Sequence, residues 1–489
     1  MPQTLQLPAN EAVATIDARH LYQYLNLHGN SPRGLALAGD YLQEQLHNVK
    51  SISCDLPEDF ADLEHWMASN TSQAQERYAD YVTARKHGAP RHYFTNRSHA
   101  LYFLRAVAPT KLVDGAWLYG VARHWKNPLY HDLLRTYLEE LGDGEESKNH
   151  VLLYRKLLAA HGAEQWQDLP NAFYMQGAIQ LALAFQGEDL LPEVIGFNLG
   201  YEQLPLHLLI TAYELNELGI DPYYFTLHVT VDNADSGHAR RAIDAVRELL
   251  PQLGDQDAFW QRVRNGYKLN ELGMGTTAVI RSFDLEREVV EIMTRKSIRG
   301  NGAHSDYCKV AGRTVNDWLS APEQVPYFLD ALKRAGWIVH DPDVGKSRFW
   351  DLLQGDRAQM FGVFNAFELQ LIHDWLRGAA SADGMPYTCS ADRVGEAAQA
   401  QWRQPSYRAI QRQQLANTPS VPEAADADTL SLKQKVAALR DRDAVMDYLR
   451  DAISPLHHWK PAGLLATRMF AGLAAGTTAG TAALSRAAG

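Results

Sequence analysis

From Ser98 to about Leu250 the chain is a nearly continuous succession of apolar segments at helical spacing, each closed by a short Gly or Pro break. Such spacing puts one side of a helix against a core. The segments run Ala100 to Ala108, Leu112 to Trp125, Leu129 to Leu141, His150 to His161, Asn171 to Ala184, Leu190 to Leu218 and Pro222 to Leu250. The breaks fall at Pro109, Gly142-Asp143-Gly144, Gly187 and Gly219. Long helices with short connections bury their apolar faces against one another, so the expected fold is all-α, a helical bundle. One stretch resists. Tyr223 to Val231 (YYFTLHVTV) is strand-like by composition, and is read as helix because its neighbours are helical.

The 489 residues divide into four expected regions. Residues 1–74 form an N-terminal helical segment, with helices over Asp17 to Leu27 and Leu35 to Asn48. Residues 75–254 form the bundle, entered by a helix over Gln75 to Lys86. Residues 255–416 are an extension of mixed short elements. Within it Phe283 to Lys296 admits strand or helix, and Val325 to Gly336 and Phe364 to Arg377 read as helices. Residues 417–489 comprise a linker, a helix and an Ala/Gly-rich tail. Asn417 to Asp428 is the linker. Ser431 to Gln434 resembles a capping box that opens a helix running to about Ile453. Pro461 to Gly489 reads as a weakly ordered tail.

Composition excludes several classes. The net charge of −11 offers no basic footprint for nucleic acid or an anionic membrane. The three cysteines, Cys54, Cys308 and Cys389, are too far apart for a zinc finger or an iron–sulfur motif. No disulfide framework is expected, and no signal peptide opens the chain, so a cytoplasmic location is expected. No P-loop, dinucleotide fingerprint or nucleophile elbow occurs.

The chemistry-bearing residues are acids and histidines set into the apolar segments. His228 and Asp232 are four apart, on one face of a helix, among Phe225, Leu227, Val229 and Val231. Burying two titratable groups there is costly unless they pair or bind metal. His238 lies six beyond Asp232, about 240° round an ideal helix. It joins the other two only where the helix is distorted, and Asn233 to Gly237 has residues that allow this. Asp235, on the regular face, is its rival. Glu140 closes one helix, and His150 opens the next across the Gly142–Gly144 turn. Asp114 is the sole acid in an aromatic, small-residue segment, and Glu202 the sole acid in the apolar run VIGFNLGYEQLPLHLLI. Each piece alone also fits a surface ion pair, a solvated acidic face or a capping acid.

In this order, Asp114, Glu140-x9-His150, Glu202, His228-x3-Asp232 and His238 resemble the heme-oxygenase-like diiron oxidases and oxygenases, often termed iron-containing redox enzymes. The likeness covers roughly residues 75–250. The family more often has Glu where Asp114 stands, and often a histidine where Asp235 stands. The resemblance implies that these seven residues ligate two Fe(II) ions that activate dioxygen. The reaction implied is oxidation of a small organic substrate of amino acid, amine or fatty acid type. Desaturation, C–C cleavage and N-oxygenation are all known in the family, often in natural-product biosynthesis. It also implies an electron donor. Nucleic acid and membrane partners are not expected, and a homodimer is left open. The alternatives are a heme-binding protein of the same fold, which needs one proximal histidine, and a non-catalytic binding or assembly module. A ferritin-like protein would need Glu-x-x-His on two helices, and the sequence lacks it.

Overall fold

A computed structural model describes residues 16–186, 188–231, 237–300, 302, 304–354, 358–378 and 427–476. The fold is all-α. Among the described residues the strands are a two-residue pair, Lys309–Val310 and Arg313–Thr314. The Tyr223–Val231 segment is helical despite its β-prone composition, with the aromatic rings of Tyr224 and Phe225 buried. The ambiguous 283–296 stretch is helix from Leu285 onward, as part of Leu285–Gly300.

Buried apolar side chains gather into two clusters. One joins the N-terminal helices Ala18–His28 and Pro32–Asn48 to the middle of the bundle and to residues 432–473. The other joins residues 94–112, 151–163 and 208–225 to the 279–376 region. At the centre of the first is the helix Met175–Phe185, whose residues 176–185 are all buried. The helices Leu191–Tyr201 and Gln256–Lys268 cross with their backbones nearly touching. A Cβ on Gly196 would lie 1.8 Å from the Val263 carbonyl oxygen, and one on Gly266 2.1 Å from that of Glu193. Only glycine permits that approach.

Four local readings need correction. The run from Leu190 to Leu218 is two helices, Leu191–Tyr201 and Leu206–Glu217, broken at 202–205. Pro205 disfavours helical geometry at the preceding residue, so the helix stops before it. Leu112 to Trp125 is a turn followed by a 3-10 helix, Ala116–His124, because Gly115 has φ +75°. The helix containing Ser431 already begins at Ala427. It ends at Ala438, and Asp441 caps a separate helix, Arg442–Ala452. The first half of the Ala/Gly-rich tail is a packed helix, Pro461–Ala474, with Leu464, Ala466, Met469 and Phe470 buried. Its small residues let it lie directly on the 142–144 turn, where a Cβ on Gly144 would meet the Leu464 carbonyl at 2.3 Å. Among the described residues no helix is long and apolar enough to cross a membrane.

Candidate metal centre

Every sequence-nominated acid and histidine within the described residues sits at a helix end or in a turn. Glu140 is the last residue of His131–Glu140, and His150 the first of His150–Ala160. Between them Gly142, Asp143 and Gly144 all have positive φ. A Cβ on Gly142 would lie 2.4 Å from the Asn149 nitrogen, so the turn folds tightly onto the start of the next helix. Asn149 caps that helix by accepting from the Leu152 N–H. Asp114 lies in the turn before Gly115. Glu202 is the C-cap of Leu191–Tyr201, His228 is in the last turn of Tyr223–Val231, and His238 is the first residue of His238–Leu249. Asp232 and Asp235 lie outside the described residues.

These ends converge. Asp114, Glu140, His150 and His228 form one group whose ligand-type atoms all lie within 4.8 Å of one another, and Glu140, Glu202 and His238 form a second. All six are buried. Glu140 belongs to both groups through different oxygens. Its Oε2 is 2.6 Å from His150 Nδ1, and its Oε1 is 3.3 Å from His238 Nδ1. His228 Nε2 is 3.1 Å from Asp114 Oδ2, and His238 Nδ1 is 2.9 Å from Glu202 Oε2.

A surrounding set of hydrogen bonds orients these groups. His228 Nδ1 lies 2.8 Å from the Tyr224 carbonyl, which turns Nε2 toward Asp114. The Tyr224 hydroxyl donates to Asp114 Oδ2 at 2.5 Å. Lys111 is 3.9 Å from Asp114 Oδ1, and donates to the Tyr201 hydroxyl at 3.1 Å. His238 Nε2 is 2.9 Å from Glu139 Oε2, which Arg241 also engages. Asn149 Nδ2 is 3.1 Å from Nδ1 of the buried His458, far along the chain.

Burial alone would keep these carboxyls protonated, yet their neighbours reverse it. Burial raises the Asp114 pKa, but Lys111 and His228 bring it below the ordinary value. At Glu140 burial is outweighed by His150 and His238, leaving its pKa well below the usual range. Glu139 falls to about 2, because His238, Arg135 and Arg241 overcome its burial. Concentrated buried negative charge of this kind requires compensating cations.

The donor set fits iron. Carboxylate oxygens and imidazole nitrogens suit Fe(II), and two clusters sharing one carboxylate suit a pair of ions. Two details fit as well. Asp114 Oδ1 is buried without a hydrogen-bond partner. His150 Nδ1 has none either, although it lies 2.6 Å from Glu140 Oε2. Buried ligand-type atoms of this kind, left over by the surrounding hydrogen bonds, are ones that an ion in the cluster could engage.

Sequence reading missed Glu139, Lys111, Tyr224 and His458. Lys111 carried a signal, as a lone cation three residues before the lone acid Asp114. Glu139 stands beside Glu140 in an acid-rich stretch, where a solvated face is the ordinary reading. His458 had no spacing to any ligand. Residues 101–271 match the model of a family described as iron-containing redox enzyme. No curated protein and no solved structure matches the chain significantly.

Proposed function

We propose that this chain, whose residues 101–271 match the iron-containing redox enzymes, is a non-heme diiron oxidoreductase that activates dioxygen to oxidise a small organic substrate. The family match and the buried carboxylate–histidine cluster suggest an iron oxidoreductase. The diiron reading rests on one observation, that Glu140 is common to both ligand groups and faces each through a different oxygen.

Asp114, Glu140, His150 and His228 would hold one ion. Glu140, Glu202 and His238 would hold the other, with Asp232 a further donor. Two ferrous ions so held supply the electrons and the open coordination positions that dioxygen activation needs. The protein's own contribution is positional. Tyr224 and the carbonyl it carries fix Asp114 and His228, and Glu139 fixes the His238 ring. Burial of all six side chains keeps bulk water off reactive species. Lys111 places a positive charge beside Asp114 and donates a hydrogen bond to the Tyr201 hydroxyl, which holds its ammonium in place.

Anaerobic titration with ferrous iron, followed by exposure to oxygen, tests the proposal. Two irons per chain and a transient visible absorbance, both lost in His150→Ala and His228→Ala, are the expected result. Well-folded protein that takes up no iron would make the cluster structural.

A further inference from the structure

The helix that starts with His150 also carries Arg155, which lines an open cleft of about 470 Å³. Leu112, two residues before Asp114, a stretch of the Ala18–His28 helix from Tyr22 to Leu27 with Gln23 and Asn26 as its neutral polar members, Trp166, and residues at 455, 456, 459 and 460 line the rest of it. Arg155 is half-buried. Its Nε is buried without a hydrogen-bond partner, and among the described residues it makes no ion pair. Its guanidinium lies 3.9 Å over the Trp459 ring, and the Lys460 ammonium lies 5.5 Å from the same ring. Neither Asp nor Glu lines the cleft.

The cleft adjoins the metal centre. His458, beside Trp459, sits within the electrostatic reach of both Arg155 and the carboxylates Glu140 and Asp114. Its side chain touches Asn149, next to the ligand His150.

A half-buried guanidinium without a carboxylate has lost part of its hydration and regained no ion pair. An anion that enters recovers that cost, and a planar carboxylate matches the guanidinium fork. The rest of the wall is largely apolar and aromatic, suited to a hydrocarbon body, and the volume lies within the range of small-molecule sites. An ammonium group would meet two cations and no anion. We infer that this cleft binds the carboxylate of an apolar monocarboxylic acid, with Arg155 as the principal contact and Lys460 as the second, and that such an acid, and not an amine or a zwitterionic amino acid, is the substrate class. The identification of the bound acid as substrate rests on the diiron reading; its binding does not.

Calorimetry on full-length, metal-stripped protein isolates the cleft, with decanoate as probe and decylamine and decanol as controls. Decanoate should bind, decylamine should not, and decanol should bind at least tenfold more weakly. Arg155→Gln should weaken decanoate at least tenfold. Lys460→Gln, at the rim, should weaken it severalfold and carries the test if Arg155→Gln does not fold. Absent decanoate binding, equal binding of decylamine, or affinity unchanged by the folded variants overturns the assignment. Iron is counted separately, so protein that binds decanoate but no iron keeps the cleft and loses the diiron reading. In anaerobic iron-loaded protein decanoate should also shift the near-infrared ferrous bands. Unchanged bands in iron-loaded protein that binds decanoate would overturn the substrate assignment.

Discussion

A Cβ placed on Gly115 would lie 2.6 Å from the Cβ of Glu140. The residue after one acid of the buried cluster is thereby the packing surface for another. Gly115 also has φ +75°, a region that side-chain-bearing residues rarely adopt. Gly115→Ala combines a clash with backbone strain. It should cost about 1–3 kcal/mol of stability, and displace both Asp114 and Glu140. Thermal denaturation and iron content of the purified variant are the measurements. Wild-type iron content would show that the two acids tolerate separation.

Removal of the shared carboxylate should differ from removal of an unshared one. Glu140→Ala is expected to abolish binding of both irons, and Glu202→Ala to leave one. Iron counted per folded chain by anaerobic titration decides between them. Identical stoichiometry in the two variants would argue against a bridging role for Glu140.

Tyr224 is a positioning residue whose hydroxyl donates to Asp114. Tyr224→Phe keeps the buried ring and deletes the hydrogen bond. Loss of such an orienting partner typically weakens metal binding by about 10–100-fold. Competition against a chelator should register this while thermal stability of the metal-free protein changes little.

Away from the centre, Glu288 is buried 3.4 Å from Arg105. Burial raises its pKa to about 7 in spite of Arg105. An acid whose folded pKa lies above its unfolded value stabilises fully below the unfolded value and loses that contribution as pH rises through the folded one. Wild-type stability should therefore fall between pH 6 and pH 8 by on the order of 1–3 kcal/mol relative to Glu288→Gln. Urea denaturation of both proteins at the two pH values measures it, and parallel curves would exclude the effect.

The terminal helix Pro461–Ala474 should be integral to the fold. Phe470 is fully buried in the first core cluster, and Phe470→Ala should cost about 3–5 kcal/mol. A denaturation midpoint close to wild type would mean that the helix docks only weakly.

The helical architecture was legible because apolar period and Gly/Pro breaks report directly on local structure. Six of the seven nominated residues lie together, at Asp114, Glu140, His150, Glu202, His228 and His238, while Asp232 falls outside the described residues. They stood out because an acid or histidine in an apolar segment has few cheap explanations. Their local settings were harder to read. Glu202 looked mid-helix, since nothing in the apolar run before Pro205 signals where the break begins. The packed helix after Pro461 reads as a tail in sequence, because Ala and Gly contribute little to an apolar pattern yet allow backbones to approach closely. His458 and Asn149 meet through tertiary structure alone, which no local pattern encodes.

Asn149 and His458 are 309 residues apart in the chain. At roughly 5–20 residues per second, a ribosome needs on the order of 15–60 s to release the second after the first. The stretch bearing all the nominated residues, Asp114 to His238, emerges well before the segment that covers their flank. For that interval a nascent chain exposes acids and imidazoles whose closing wall has yet to be translated. The order of synthesis thus brings the His458 segment last to a cluster whose acids and imidazoles are already made.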